Sequence, residues 1–507
     1  IAGNSVIEGV VEFDRWIYTD MNGTGRVFEN GKTVFETDTD LRAVYCKTVA
    51  GVKTDLVYPD KSSFAFIPSS YVTVNGVSVP NRYEISAHYV DQDGYLTGDY
   101  IAVLPYDLCI PSTYNGKIVG GIYSKMPSGS GELNGAFCTL VNTQKNSVRF
   151  NTVYVPAAFT SIPNYAFYGQ SADITFGAGS RCTNIAYKAF CYSSYTSGGA
   201  RNFYNFPANV RYIGTYAFSF NIANSGSMWY WYDDSGERIT TLPSSVTYVG
   251  KCAFTNIGLF EEVYIGEHMT GIGEEAFYGM HTLKRLTIAD TSVLKVIPKA
   301  CFRNCRGLTE ISIPSGVETI GEEAFFGCEN ITKVTFSNAG NLREIGKWAF
   351  YRCSLIEELH IPEGVEVIGP AAFGWYTITA GSDFGVYNEK VQYTLGALKV
   401  LTLPSTLREI GECAFAYQSI SSLTLPASIE VIGDGAFKVC PGITSVDLSG
   451  LTNLRVIGRY AFMRSYGEKV RGKFDLVIPA SVTEIGANAF ACFGNIRSLT
   501  FLGTSLE

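Results

Sequence analysis

The side chains able to do chemistry in this chain are few and scattered. Paired carboxylates occur at Glu274-Glu275 and Glu322-Glu323, at the same place in a repeated motif. An acid–base pair needs two carboxyl groups in unequal environments, so this repetition favours a solvated face. We find no nucleophile elbow, phosphate-binding loop or dinucleotide fingerprint in a suitable setting, and expect neither catalysis nor a cofactor. The chain has four histidines, none at metal-binding spacing: His88, His268, His281 and His360.

The thirteen cysteines form a second chemically capable set, and an odd number cannot all pair within one chain. Cys305 and Cys328 each lie three residues after a recurring Phe, and Cys252 lies two before one. A repeated slot of this kind is typical of burial, where free Cys behaves as a small hydrophobe. We therefore expect packed free thiols. Disulfides are the alternative, as is a metal shared by Cys301 and Cys305, although no CxxC and no nearby His completes such a site.

A repeated motif must position these residues. Ile320-Gly321-x-x-Ala324-Phe325 recurs thirteen times between Ile162 and Phe490. Self-similarity of this density indicates a repeat array, which is one structural unit of any length. The motif phenylalanines are Phe167, Phe190, Phe218, Phe254, Phe277, Phe302, Phe325, Phe350, Phe373, Phe415, Phe437, Phe462 and Phe490.

Each repeat also carries a strand signature, apolar-x-x-apolar-x-apolar, as in Leu308, Ile311 and Ile313. The final pair alternates with period two, which predicts a strand with one buried face, and Pro314 ends that strand. The motif itself predicts a short extended piece, a Gly turn with close backbone approach, and one helical turn that holds Ala-Phe. Stacked repeats would place the phenylalanines in a column inside the array.

The pattern that runs from Leu308 to Cys328 resembles the BspA-type leucine-rich repeat, and the resemblance covers most of the chain after residue 105. It implies an α/β solenoid, mainly β, that is curved and right-handed with about fourteen repeats, counting an interrupted first one. It further implies secretion or display on a bacterial cell surface, a role in adhesion, and no catalytic residues.

We divide the chain at residue 105. Residues 1–105 hold no copy of the motif, and Asn75-Gly76 between β-branched residues predicts a hairpin, so this segment reads as a small β-rich domain. Residues 106–507 form the repeat domain, and its end resembles the start of another repeat, so we expect further repeats or a wall anchor beyond Glu507. Three insertions break the period, at 192–204, 221–239 and 374–397.

Aromatic side chains in these insertions are the candidate ligand-binding residues, because Trp and Tyr offer large contact area with a polar edge. The alternative is that the rings seal gaps where the repeat register shifts. The binding candidates are Trp229, Tyr230, Trp231, Tyr232, Trp375 and Tyr376. A second candidate surface, which could also be a plain solvated face, is the outward side of the strands: Thr309, Glu310, Ser312, Lys333, Thr335, Glu357, Glu358 and His360.

The net charge and the hydropathy of the chain argue against some classes of partner. A net charge of −8 argues against nucleic acid or an anionic membrane as partner. The chain has no run of about 20 apolar residues, so we expect no membrane insertion. We expect a secreted or cell-surface binding protein whose partner is a protein or glycan of a host or neighbouring cell. The alternatives are a structural stalk that presents residues 1–105 as the binding head, and an enzyme in that segment, for which no residue constellation speaks.

Overall fold

A computed structural model describes residues 12–19, 25–27, 42–49, 52–55, 65–74, 77–86, 88–90, 96–100, 107–110, 112–114, 117–122, 150–170, 172–191, 201–220, 227–337, 340–375, 395–464 and 472–503. The described residues contain 38 strands and no helix. The chain divides into two compact units, one of residues 1–218 with 227–239 and one of residues 219–226 with 240–507.

The first unit contributes strands to antiparallel sheets near its N-terminus and to parallel ladders after residue 105. Its strands are β1 (Glu12–Thr19), β2 (Gly25–Val27), β3 (Arg42–Val49), β4 (Val52–Asp55), β5 (Ala65–Val74), β6 (Val77–Ser86), β7 (His88–Val90), β8 (Leu96–Tyr100), β9 (Asp107–Cys109), β10 (Thr113–Tyr114), β11 (Lys117–Ile122), β12 (Thr152–Val155), β13 (Ser161–Ile162), β14 (Asp173–Phe176), β15 (Asn184–Ile185), β16 (Arg201–Tyr204), β17 (Tyr212–Ile213), β18 (Ser227–Tyr232) and β19 (Arg238–Ile239).

The N-terminal strands form two four-stranded sheets, in the orders β2-β1-β3-β4 and β10-β11-β6-β5, and a β7-β8 pair. Strands β5 and β6 pair antiparallel with Val74 opposite Val77, as the hairpin signal predicts. Strand β11, however, lies parallel to β6, so one sheet joins residues on both sides of position 105. The two-unit division does not coincide with that predicted boundary either, and a separate domain at 1–105 stays a prediction.

Parallel ladders organise the rest of the first unit. Strands β9, β12, β14, β16 and β18 lie side by side, and β19 closes this sheet in the antiparallel direction. The two-residue strands β13, β15 and β17 form a second parallel ladder. Alternation sets the sides of each strand: in β12, Val153 and Val155 are buried while the two residues between and before them are partly exposed.

The second unit repeats this plan, except that residues 411–430 and 433–455 contain no long strand. Its strands are β20 (Tyr248–Val249), β21 (Ile257–Gly258), β22 (Glu262–Ile265), β23 (Gly271–Ile272), β24 (Arg285–Ile288), β25 (Val296–Ile297), β26 (Glu310–Ile313), β27 (Thr319–Ile320), β28 (Lys333–Phe336), β29 (Glu344–Ile345), β30 (Glu358–His360), β31 (Val367–Ile368), β32 (Val400–Thr402), β33 (Glu409–Ile410), β34 (Val431–Ile432), β35 (Val456–Ile457), β36 (Phe474–Ile478), β37 (Glu484–Ile485) and β38 (Ile496–Phe501).

This unit contains two sets of parallel strands, one of short and one of longer strands. The short strands from β25 to β37 form one eight-stranded ladder, in which each motif Ile pairs with the Ile of the next repeat. The longer strands pair as β22-β24, β26-β28, β30-β32 and β36-β38. In β26, Ile311 and Ile313 are buried while Glu310 and Ser312 are exposed. The mainly-β repeat fold is thereby confirmed. Its handedness and repeat number stay predictions.

The predicted column of phenylalanine rings is present in both units. In the second unit the rings from Phe254 to Phe490 stack one on the next with centroids 5.1–5.6 Å apart and planes within 15° of parallel. In the first unit Phe190 stacks between Phe167 and Phe218 at 5.4 Å from each. Phe373 and Phe415 lie 42 positions apart in the sequence, yet their rings are 5.6 Å apart.

The predicted helical turn is wrong, because the residues from the motif Gly to just past the Phe form two successive turns. The residue two positions before the Phe has a left-handed backbone conformation, with φ of 57° at Glu323 and 50° at Ala300. This conformation aims N–H groups at the neighbouring repeat: Glu323 N donates to Lys347 O at 2.9 Å and Phe325 N donates to Ala349 O at 2.8 Å. A helix would keep those donors within its own chain segment, so the hydrogen bonds between repeats replace it.

The motif glycine allows neighbouring repeats to approach closely, as predicted. A Cβ at Gly346 would lie 2.7 Å from Ile320 O and 3.0 Å from Glu322 N.

The cysteines that follow the Phe are packed thiols, which confirms the burial prediction for them. Cys328 Sγ lies 3.1 Å from the Phe302 carbonyl of the preceding repeat, and burial raises the pKa of this thiol to about 12.

Candidate functional site

Outward-facing side chains of β12, β14, β16 and β18 form a surface in the first unit that we name the tyrosine face. Ladder register brings them together: Asn202 lies opposite Tyr230, and Tyr154 and Tyr204 lie on either side of Thr175. Each of its members is partly exposed, whereas the residues between them along the strands are buried. The tyrosine face consists of Tyr154, Asp173, Asn202, Tyr204, Tyr230 and Tyr232.

The tryptophans predicted to bind a ligand lie inside the first unit. Trp229 and Trp231 are 1% and 0% exposed, so the prediction that they contact a ligand is wrong in this structure. Trp231 stacks on Phe206 with centroids 3.6 Å apart, and the guanidinium of Arg201 lies 4.9 Å from the Trp229 ring. The physical reason is strand alternation: Trp-Tyr-Trp-Tyr places both indoles on one side and both phenols on the other.

The predicted insertions at 192–204 and 221–239 are therefore not only loops. Residues 201–204 of the first form β16 and residues 227–232 of the second form β18, and both strands extend the parallel sheet. Tyr230 and Tyr232, two of the predicted binding residues, are partly exposed on its outer side. Whether they bind a ligand stays a prediction.

Tyr204 and Tyr232 are the central pair of the tyrosine face. Their rings stack with centroids 5.1 Å apart and planes 14° from parallel. Partial burial, together with the nearby Asp173 carboxylate, raises the pKa of both phenols. Both hydroxyls therefore stay protonated at neutral pH and can donate as well as accept a hydrogen bond.

Asp173 and Asn202 form the polar part of this face. The Asn202 side-chain amide donates to Asp173 Oδ1 at 3.2 Å and to Oδ2 at 3.0 Å, and the Asn202 backbone N–H donates to Oδ1 at 2.9 Å. These bonds hold the carboxylate at the outer surface of the sheet. Sequence reasoning missed both residues, because 29 positions separate them and only the ladder register brings them together.

Charged residues border the tyrosine face at the turn between β18 and β19. The Arg238 guanidinium carbon lies 4.7 Å from the centroid of the Tyr230 ring, in a cation–π contact. Asp233 accepts N–H bonds from Ser235 and Glu237, and hydrogen bonding from Ser235 is the largest cause that lowers its pKa. Asp234 accepts a bond from Gly179 N at 3.2 Å. This end of the face is predominantly acidic.

Tyr154 covers the opposite end of the face. A Cβ at Gly177 would lie 2.9 Å from the Tyr154 hydroxyl and 2.6 Å from Ala157 N. Glycine at 177 is thus required for the phenol to lie across the neighbouring strand. Between Tyr154 and Tyr204 in the ladder stands the small, buried Thr175.

The third predicted insertion, 374–397, falls mostly outside the described residues, and Tyr376 lies there. Trp375 is partly buried against the cluster of Ala416, Tyr417 and Val439. Its indole also lies 5.9 Å from the Arg352 guanidinium. Trp375 thus packs on the turns of its own unit, and a role in ligand binding stays a prediction.

The second candidate surface lies on the long strands of the second unit, where every predicted residue is exposed. Ladder pairs bring Glu310 opposite Lys333 and Ser312 opposite Thr335. His360 Nδ1 lies 2.9 Å from Thr402 Oγ1 on the adjacent strand. The surface is a row of exposed hydroxyl, imidazole and charged groups over an apolar interior, and its use in binding stays a prediction.

The recurring carboxylate pairs are parts of ion pairs between adjacent repeats. Glu274 pairs with Lys251 at 2.6 Å, and Glu322 pairs with Lys299 at 2.6 Å. Hydrogen bonding to Lys251 lowers the pKa of Glu274, so this carboxylate is ionised and unsuited to act as a general acid.

The described residues hold neither a metal-binding cluster nor a membrane-spanning helix. They include no group of three or more His, Cys, Asp or Glu side chains arranged to hold a metal ion. They also include no helix with the length and apolar character required to cross a bilayer.

Comparisons with known proteins identify the repeat. The model of the BspA type leucine rich repeat region matches residues 142–225, 230–337, 295–380 and 388–506. No curated protein matches the chain.

The solved structures to which the chain is similar are distant in sequence. A leucine rich cell surface protein from Faecalibacterium prausnitzii is 17% identical, with TM-score 0.36, over 86% of this chain and 95% of that one. A leucine-rich repeat protein from Bacteroides ovatus is 17% identical, with TM-score 0.40, over 86% and 92%. The pneumococcal vaccine antigen PcpA is 16% identical, with TM-score 0.38, over 86% and 99%.

Proposed function

Because this chain belongs to the BspA-type leucine-rich repeat family, we propose that it is a secreted or cell-surface bacterial protein that binds a protein or glycan ligand and catalyses no reaction. The ligand would come from a host or a neighbouring cell. No cofactor, nucleic acid or membrane insertion is part of the proposal.

The observation that carries the proposal is the contrast between the two sides of the long strands. Inward positions are apolar in repeat after repeat, as at Ile311, Ile313 and Val334. Outward positions differ from strand to strand and include tyrosines, hydroxyls, carboxylates, a lysine and a histidine. Such a scaffold holds varied side chains at fixed spacing, which suits recognition of an extended partner.

The chemistry of the outward residues supports binding more than catalysis. The recurring carboxylates are paired with lysines, and the buried thiols are held in their protonated form. A nucleophilic cysteine needs a lowered pKa and access to substrate, and Cys328 has neither.

The stalk alternative assigns binding to residues 1–105. Deleting that segment would also remove β6, the partner of β11, so a loss of binding after deletion would not discriminate the two functions. Point variants on the outward faces do discriminate them, since a stalk tolerates such changes without loss of binding.

The test is a binding screen of the purified chain against extracellular-matrix proteins and an array of glycans. Wild type is compared with Tyr232→Ala on the tyrosine face and Lys333→Ala on the second unit. Both side chains are at least partly exposed, so folding should be retained and circular dichroism checks it. We expect a ligand whose binding falls with at least one variant. A ligand indifferent to both would contradict the proposal.

A further inference from the structure

We propose that the tyrosine face binds a short, neutral saccharide chain. This inference rests on the proposed function, since it names the ligand class for one of the two outward surfaces. It is carried by the size of the face, by its mixture of rings and hydrogen-bonding groups, and by the charges around it.

The size of the tyrosine face fits a small ligand. Four adjacent strands span three intervals of about 4.8 Å, or about 14 Å, and the two outward positions of each strand lie about 7 Å apart. This footprint is on the order of 100 Å², whereas each partner in a standard protein interface buries about 800 Å². A few sugar rings laid across the strands match the footprint.

The chemistry of the face suits hydroxyl-bearing rings. The stacked pair of Tyr204 and Tyr232 and the phenol of Tyr154 supply aromatic surface for the apolar C–H side of a sugar. Asp173 and Asn202, joined by two side-chain hydrogen bonds, supply carboxylate and amide groups that bond to sugar hydroxyls. The face thus combines the two contacts that a pyranose ring offers.

The surrounding charges favour a neutral ligand. Asp173 stands in the face, and Asp233, Asp234 and Glu237 lie on the bordering turn, so an anionic sugar would meet like charge. A cationic ligand would meet like charge as well, because the Arg238 guanidinium lies 4.7 Å from the centroid of the Tyr230 ring.

Isothermal titration calorimetry on the full chain tests the inference. The probes are hexasaccharides of glucose, xylose, mannose and galactose, with a hexamer of galacturonate as the anionic arm and one of glucosamine as the cationic arm. We expect one or more neutral hexasaccharides to bind. Affinity should fall about tenfold in Tyr232→Ala, because one aromatic contact contributes about that factor. Asp173→Asn should lower the affinity for the same saccharide.

The matched control is Tyr264→Ala. Tyr264 is an outward tyrosine on β22 of the second unit and is 50% exposed, so its loss should leave saccharide binding unchanged. If Tyr232→Ala lowers the thermal midpoint of unfolding, Tyr232→Phe provides a variant that keeps the ring and removes the hydroxyl.

Three results would overturn the inference: no neutral hexasaccharide binds, one binds equally to wild type and to the Tyr232 and Asp173 variants, or the charged hexamers bind more tightly than the neutral ones. Each of these leaves the broader binding proposal standing if the protein screen finds a ligand sensitive to Lys333→Ala. Failure of both screens would reject both proposals.

Discussion

Truncation of Phe325 to Ala should lower the free energy of unfolding of the second unit by about 4 kcal/mol. The Phe325 side chain is 0% exposed, and its ring stacks between Phe302 at 5.5 Å and Phe350 at 5.1 Å. Removal of a buried Phe typically costs about 3–5 kcal/mol through lost burial and the cavity left behind. The variant also loses two ring-stacking contacts, which places the expected cost in the middle or upper part of that range.

Phe490→Ala is the matched control, because it removes the same group from the last ring of the column. Phe490 is partly exposed and stacks on Phe462 alone of the motif rings, at 5.3 Å. We expect a cost of about 1–2 kcal/mol there, since less apolar area leaves water.

Urea unfolding followed by circular dichroism measures both values by linear extrapolation. Because a repeat array can unfold in parts, hydrogen exchange at the amides of residues 323–328 serves as a local readout. Equal losses for the two variants would refute the reasoning, since it attributes the cost to enclosure between neighbouring rings.

Three further changes follow from the same structure. Gly346→Ala should lower the free energy of unfolding by about 1–3 kcal/mol, because the added Cβ would lie 2.7 Å from Ile320 O. An unchanged midpoint of thermal unfolding would contradict this and show that the neighbouring repeats can move apart. Ala300→Gly should be neutral or raise the free energy of unfolding by up to about 1 kcal/mol, because φ of 50° strains alanine more than glycine; a clear loss in urea unfolding would contradict this. Asp475 should titrate near pH 2 by NMR, because hydrogen bonds from Arg497 and then Ser498 lower its pKa to about 2 from 3.8. The stabilisation from this carboxylate is then present above pH 3.8 and is lost as pH falls through 2, and an unchanged titration in Arg497→Ala would argue against it.

The repeat, its strands and its ring column could be predicted from the sequence because they depend on local periodicity. Each motif Phe is fixed by spacing from its own Ile and Gly, and each strand by alternation within four residues. These features need no knowledge of which repeat neighbours which. Only stacking in register is required, and the shared motif of the repeats supplies it.

The errors arose where partners lie in other repeats. The turn at Glu323 reads as helical in isolation, but its N–H is bonded to Lys347 in the next repeat. Asp173 and Asn202 meet only through ladder register. Trp229 and Trp231 are a different case, because their alternation with tyrosines along the strand predicts burial from the sequence alone.

Phe373 and Phe415 lie 42 positions apart in the sequence, yet their rings stack at 5.6 Å. The number of residues in a repeat is therefore independent of the distance that the repeat adds along the ring column. The residues added to this repeat do not widen the distance between its ring and the next. A foreign epitope or a small enzyme inserted between positions 376 and 394 should therefore leave the spacing of the neighbouring rings unchanged.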